Sequence, residues 1–337
     1  LRGETLEERL PFSAGQIDTT FGGTGLVSIH PGANGFADEG YSVATQADGK
    51  VVVAGTAWTG VGGEPAFDLV RYNEDGTLDT SFGTGGQVIT PVSTGIQQGR
   101  IYGLIVEPDQ KIVVSGDDGS NMEVARYNTD GTLDTTFGTG GIVTVPGIGA
   151  NFTDGKGEAL AVQADGKYVI TGQSISLQFQ YTWPVVRLNH DGSVDTTFGT
   201  GGLANGPVFP NTSSLVDAWD VIVQSDQKIV VVGDILEGQQ WQIARYNSDG
   251  TLDTTFGTGG VATVNLTLPG QDPFQVVQQT DGKLLIVGTA FDNGLETQSA
   301  YELMRLNTDG SLDSTFNGGQ PIQIGVPGEA DSQSFQV

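Results

Sequence analysis

Arg71-Tyr72-Asn73-Glu74-Asp75-Gly76-Thr77-Leu78-Asp79-Thr80-Ser81-Phe82-Gly83 is a phrase the chain repeats: it returns from Arg126, Arg187, Arg245 and Arg305, and its second half stands at Ile17 to Gly22. The Asp before each Thr/Ser pair (Asp18, Asp79, Asp134, Asp195, Asp253, Asp313) recurs at spacings of 61, 55, 61, 58 and 60 residues. A period of that size belongs to architectures built from one repeated supersecondary unit. The 337 residues are therefore read as a single domain made by repetition, with no internal boundary.

Upstream of each phrase lies a hairpin. Gly40 to Gln46 alternates, Ala47-Asp48-Gly49-Lys50 turns, and Val51 to Ala54 is a β-branched apolar run. Asp-Gly between two such runs is a strong hairpin signal. The turn recurs at Lys111, Lys167, Lys228 and Lys283. A third strand ends in the phrase, as in Glu123 to Asn128, and a fourth follows the glycines, as in Gly141 to Val145. Four short antiparallel strands per repeat predict an all-β β-propeller.

With the strand after the glycines set first in each group of four, five complete sets run from Gly25 to about Asn307. Thr5 to Leu10 then supplies one strand of a sixth blade, and Pro321 to Ile324 and Ser334 to Val337 supply two more. The expectation is six blades, with a composite and incomplete closing blade: residues 1–24 at one end, 25–320 as five repeats and 321–337 at the other. Leu6, Leu10, Phe335 and Val337 are the expected interface residues of that seam. An unfilled strand slot would expose backbone donors and acceptors, so self-association by strand complementation is the alternative function.

Composition narrows the chemistry. The formal charge is −26, from 40 acidic and 14 basic residues, which repels a phosphate backbone and argues against nucleic acid. Ten of the basic residues occupy repeated positions, so no basic patch is left. Cysteine is absent, and no apolar run approaches the ~20 residues of a membrane helix. Leu1 in place of Met, high acidity and scarce Lys together suggest a processed protein exported to the extracellular space or cell surface.

The stretch from Tyr72 through Gly83, followed by hairpins such as Val162-Gln-Ala-Asp-Gly-Lys-Tyr-Val-Ile170, resembles the delta-60 repeat family of bacterial β-propeller-like proteins. The likeness runs from about Gln16 to Val337. It implies a propeller of exported or surface-attached bacterial proteins and carries no catalytic residues.

The phrase also invites comparison with a calcium loop, yet the first ligand position would be Arg71 and the twelfth Phe82. Asx turns with Asp75 and Asp79 bonding backbone amides, and Asp79 pairing with Arg71, fit better, and the recurring Phe is expected to pack between blades. His30 and His190 lie in no nucleophile or metal pattern, and no cofactor, metal or enzyme activity is expected. His190 takes a place held elsewhere by Glu74, Thr129, Ser248 and Thr308, which marks it as a tolerant solvent position.

What differs between repeats is the loop joining the second hairpin strand to the strand that ends in the phrase. Trp58, Tyr181, Trp183, Trp241 and Phe291 lie in or beside it. Loops joining equivalent strands emerge on one rim, so these aromatics are the expected ligand-binding residues for a glycan or protein partner.

Overall fold

In every repeat the phrase turns the chain straight back on itself. The amide of Phe82 donates to Asp79 O at 3.0 Å and that of Gly86 to Phe82 O at 2.9 Å, and Gly86 O accepts from the Arg71 amide at 2.9 Å. Gly85 and Gly86 have φ of 66° and 101°, left-handed values that a side chain would strain. The computed structural model describes residues 17–28, 39–59, 64–92, 99–145, 152–176, 181–204, 207, 216–235, 240–266, 272–291 and 299–325.

Among the described residues the strands form five antiparallel sheets. The first holds β1 (Glu39–Thr45), β2 (Val51–Thr59), β3 (Glu64–Tyr72) and β4 (Gln87–Thr90). The second holds β5 (Arg100–Val106), β6 (Ile112–Asp117), β7 (Met122–Tyr127) and β8 (Ile142–Val145). In the third, β9 (Phe152–Val162) and β10 (Tyr168–Ser176) are followed by two pieces, β11 (Tyr181–Thr182) and β12 (Val185–Leu188), both paired with β10. Pro184 sits at the break, where it has no amide to give the ladder, and its carbonyl instead accepts from Thr171 Oγ1 at 2.9 Å. The fourth holds β13 (Asp217–Val223), β14 (Ile229–Ile235), β15 (Gln240–Tyr246) and β16 (Val261–Asn265). The fifth holds β17 (Pro273–Gln278), β18 (Leu284–Phe291), β19 (Ser299–Leu306) and β20 (Ile322–Gly325).

These pairings correct the grouping expected from sequence. The strand after the glycines is the last of its own sheet, not the first of the next: β4 pairs with β3, β8 with β7, β16 with β15 and β20 with β19. The turn enforced by the phrase leaves that strand no other neighbour. Complete sheets therefore run from Glu39 to Gly325, and the stretch around Ile322 belongs to the fifth sheet instead of a closing blade.

Successive sheets pack through their first strands, β1 on β5, β5 on β9, β9 on β13 and β13 on β17, so these strands are innermost. Between sheets lie separate apolar cores. Phe82, Phe137, Phe198 and Phe256 are fully buried there, each against a glycine of the following phrase, as expected. The repeated Arg spans the same junction. Arg71 Nη1 donates to Thr129 O at 2.6 Å, and Arg126, Arg187 and Arg245 donate likewise to His190, Ser248 and Thr308.

Each Arg is anchored by its own phrase Asp, with Arg71 Nε 2.8 Å from Asp79 Oδ2 and Lys50 Nζ at 3.4 Å. Asp79 Oδ1 accepts from the amide and hydroxyl of Ser81. Burial opposes ionisation, but these hydrogen bonds and the charges of Arg71 and Lys50 prevail and hold the Asp79 carboxyl down at about 2. Asp75 caps its own turn, accepting from the Thr77 amide at 2.9 Å.

Candidate functional site

Lys50 meets Asp79, so the hairpin turns and the phrases share one end of the molecule. The starts of the innermost strands lie at the other end, and there the repeat is interrupted in a regular way. Opposite β2, the register of β1 slips between Gly40 and Ser42, so that Tyr41 is the extra residue of a bulge. Equivalent slips leave out Tyr102 in β5, Glu158 in β9, Trp219 in β13 and Phe274 in β17. All five innermost strands thus carry a β-bulge at the same place, and a bulge turns its extra side chain away from the regular pleat. The five bulged residues are all half-buried.

The bulged rings meet across sheet boundaries. Tyr41 and Tyr102 lie 5.4 Å apart at 51°, and Trp219 and Phe274 lie 5.5 Å apart edge to face. Polar groups surround them. Tyr41 donates its hydroxyl to Glu39 Oε2, Arg100 bonds the Tyr102 hydroxyl, and Trp219 Nε1 donates to Asp234 Oδ1 at 2.8 Å. Gln173 Nε2 donates to Asp217 Oδ1, and Asp220 accepts from the amides of Val221 and Val276, both at 2.8 Å.

Desolvation and the bond to Glu39 push the Tyr41 phenol up to about 12. Burial, reinforced by the charge of Asp117, raises Tyr102 as well. Withdrawal from water pushes the Asp220 carboxyl up to about 7 against the pull of its two amide donors. Burial takes the Glu123 carboxyl to about 7 too, opposed by a bond to Thr144. Among the described residues no group of three or more His, Asp or Glu side chains could hold a metal ion, and no helix is long and apolar enough to cross a membrane.

Trp241 is fully buried and Trp183 is 4% exposed, so both are corrected from rim residues to packing residues. Each lies over a glycine of the next sheet: a Cβ on Gly233 would stand 2.6 Å from the Trp183 ring, and one on Gly288 2.5 Å from that of Trp241. Phe67 covers Gly116 in the same way. Trp58 is half-buried near the end of β2, where its backbone faces Pro65. Tyr181 pairs its backbone with Ile175 and Phe291 with Ser299. Leu6, Leu10, Phe335 and Val337 lie outside the described residues.

His190 is more engaged than a solvent position requires. Its ring stacks on Tyr168 at 6.1 Å and its Nε2 lies 3.4 Å from Glu107, although its side chain is 57% exposed. Sequence reasoning missed the bulged ring altogether. The signal was available: an aromatic recurs five residues before the Gln or Glu that opens the hairpin turn (Gln46, Glu107, Gln224, Gln279) in four of the five repeats, at Tyr41, Tyr102, Trp219 and Phe274.

Five stacked four-stranded sheets sharing one phrase define a β-propeller repeat protein. The sequence matches the family described as domain of unknown function (DUF5122) beta-propeller over residues 46–82, 107–137, 163–198, 224–256 and 279–316, more than half of the chain, and the chain belongs to that family. No curated protein matches it. Solved structures similar in fold include Drosophila Plexin A in complex with Semaphorin 1b (10% identity, TM-score 0.39, covering 83% of this chain and 54% of that one). The Hadza microbial sialidase Hz136 (12%, 0.46, 81% and 56%) and the GH43 endo-arabinanase from Bacillus licheniformis (13%, 0.37, 83% and 94%) are others. The chain spans about half the length of the plexin and sialidase chains.

Proposed function

We propose that this propeller is a non-catalytic binding module of the extracellular space or cell surface, and that it takes a carbohydrate at the mouth of its innermost strands. The observation that carries this reading is the ring of bulged residues, of which four of five are aromatic and all are half-buried. An aromatic face offers a flat apolar platform for the C–H side of a sugar ring, and fixed carboxylates accept its hydroxyls. Tyr41, Tyr102, Trp219 and Phe274 provide the first, and Glu39, Asp217 and Asp234 the second. The net charge of −26 favours neutral or amino sugars over anionic ones.

The binding role moves from the loops between second and third strands to the innermost strands because Trp183 and Trp241 are spent on packing. The test is a titration of intrinsic tryptophan fluorescence with neutral and amino oligosaccharides, with reducing ends assayed in the same samples. Saturable quenching without new reducing ends is expected. Turnover of any probe contradicts the non-catalytic assignment.

A further inference from the structure

The edge-to-face pair of Trp219 and Phe274 joins two sheets, and the residue beside Trp219 ties those sheets together. Trp219 Nε1 is anchored within its own sheet, to Asp234 Oδ1. Asp220 Oδ1 accepts from the Val221 amide and Asp220 Oδ2 from the Val276 amide of β17, each at 2.8 Å. Val276 lies two residues beyond Phe274, so one carboxylate spans from bulge to bulge. The matching place in the other repeats holds Ser42, Gly103, Ala159 and Gln275, none of which carries a charge. Four sheets are built without an acid here, so the scaffold does not demand one.

A carboxylate accepts at both oxygens. A proton on either of them turns an acceptor toward donation, and a hydroxyl facing an amide N–H no longer serves as the carboxylate did. Val221 is tethered beside Asp220 by the chain, so the bond that gives is the one between sheets, to Val276. The residue is half-buried with its carboxyl withdrawn from water, and that withdrawal outweighs the two amides and sets the exchange at about pH 7. The ionisable residues on the elements packed around β13 are Asp234 on β14, Asp272 just before β17, Tyr168 on β10 and Glu158 on β9, with Asp217 on β13 itself. β9 also carries Asp154 and Lys156, whose side chains lie outside the described residues.

Building on the reading of the mouth as a carbohydrate site, we infer that Asp220 is the positioning residue of the Trp219–Phe274 pair: as a carboxylate it clamps β17 to β13 and sets the two rings for a ligand, and on protonation it releases them. Binding therefore tightens toward alkaline pH. Stability runs the other way, because a folded-state value raised to about 7 means stability is lost as pH rises from about 4 toward 7. A group that only held the fold together would move binding and stability in the same direction.

The test uses the full chain between about pH 5.5 and 8.5, on either side of the Asp220 value. Acrylamide quenching of Trp219, taken as the parent signal less that of Trp219→Phe, needs no ligand. It should fall as pH rises in the parent and keep its acid value throughout in Asp220→Asn, whose amide has a single acceptor oxygen. Chitotriose, a neutral sugar that does not titrate in this range, should bind the parent about fivefold more tightly at the alkaline end, the effect of one hydrogen bond. Asp220→Asn should bind at the weaker level throughout, yet melt at a higher temperature than the parent at alkaline pH. Glu123→Gln removes the other carboxyl raised to about 7, in the second sheet, and should leave both pH responses in place. A parent quenching signal flat with pH, a response unchanged by Asp220→Asn, or binding and melting temperature lost together in that variant would overturn the inference, even where chitotriose binds and Trp219→Phe weakens it. A quenching response as expected without chitotriose binding supports the clamp and counts against the carbohydrate reading alone.

Discussion

Arg126 lies at the junction of two sheets, its Nε 2.8 Å from Asp134 Oδ2 and its Nη1 2.6 Å from the carbonyl of His190. The same guanidinium stacks 4.8 Å from the centre of the Phe137 ring. One side chain thus neutralises a buried carboxylate, caps a carbonyl of the next repeat and covers the aromatic that fills the junction.

Removing it should be costly. Arg126→Ala leaves Asp134, 4% exposed, with Lys111 as its one remaining cation, and breaking a buried pair from one side costs about 3–5 kcal/mol. Arg305→Ala should cost less, because the Arg305 side chain is itself 21% exposed, so solvent already screens part of its pairing with Asp313. Urea unfolding of the two variants side by side measures the difference.

Stability should pass through a maximum near weakly acidic pH. The phrase carboxylates are depressed, Asp79 to about 2, so their contribution is complete above the ordinary carboxylate range and is lost as pH falls through it toward 2. Asp220 and Glu123 are raised to about 7 and act with the opposite sign: protonated in the fold, they lose stability as pH rises from about 4 through 7. Asp220→Asn should flatten the alkaline limb of melting temperature against pH, and Asp79→Asn the acid limb.

Gln110 and Gln227 replace the hairpin glycine and adopt φ of 69° and 67°. A left-handed non-glycine residue costs roughly 1–2 kcal/mol. Here the side chain offsets that cost by accepting from the amide of the neighbouring sheet's hairpin, Ala47 at 3.0 Å and Ala164 at 3.2 Å. Gln110→Ala should destabilise by about 1 kcal/mol because the strain stays and the bond goes, while Gln110→Gly should be nearly neutral. Thermal melts of the two variants separate strain from bonding.

Trp241 and Trp219 should behave in opposite ways. Trp241→Ala empties a fully buried site and should cost about 3–5 kcal/mol. Trp219→Ala removes a half-buried bulge residue and should leave stability within about 1 kcal/mol of the parent while altering ligand binding. Denaturation curves for both check the assignment.

The repeat made the fold legible: the Asp-Gly hairpins, the phrase turn, the Arg71–Asp79 pair and the buried Phe82 all follow from residues seen side by side in sequence. The grouping of strands did not, because the strand after the glycines is apolar and short in either arrangement, and only the hydrogen bond from Arg71 to Gly86 decides its neighbour. The site was hidden for a related reason. Trp183 and Trp241 look like loop aromatics by position, but their burial is fixed by glycines about 50 residues downstream in the next sheet. A bulge, likewise, is a mismatch between two strands, and the recurring aromatic at Tyr41, Tyr102, Trp219 and Phe274 marks its place only when the repeats are compared.

The most direct test of the binding role is a glycan array probed with the folded parent protein and with Tyr102→Ala and Trp219→Ala. The parent should retain neutral or amino sugars, and each substitution should weaken retention at least tenfold without loss of folded protein. Retention unchanged in both variants, or no glycan bound by the parent, would contradict it.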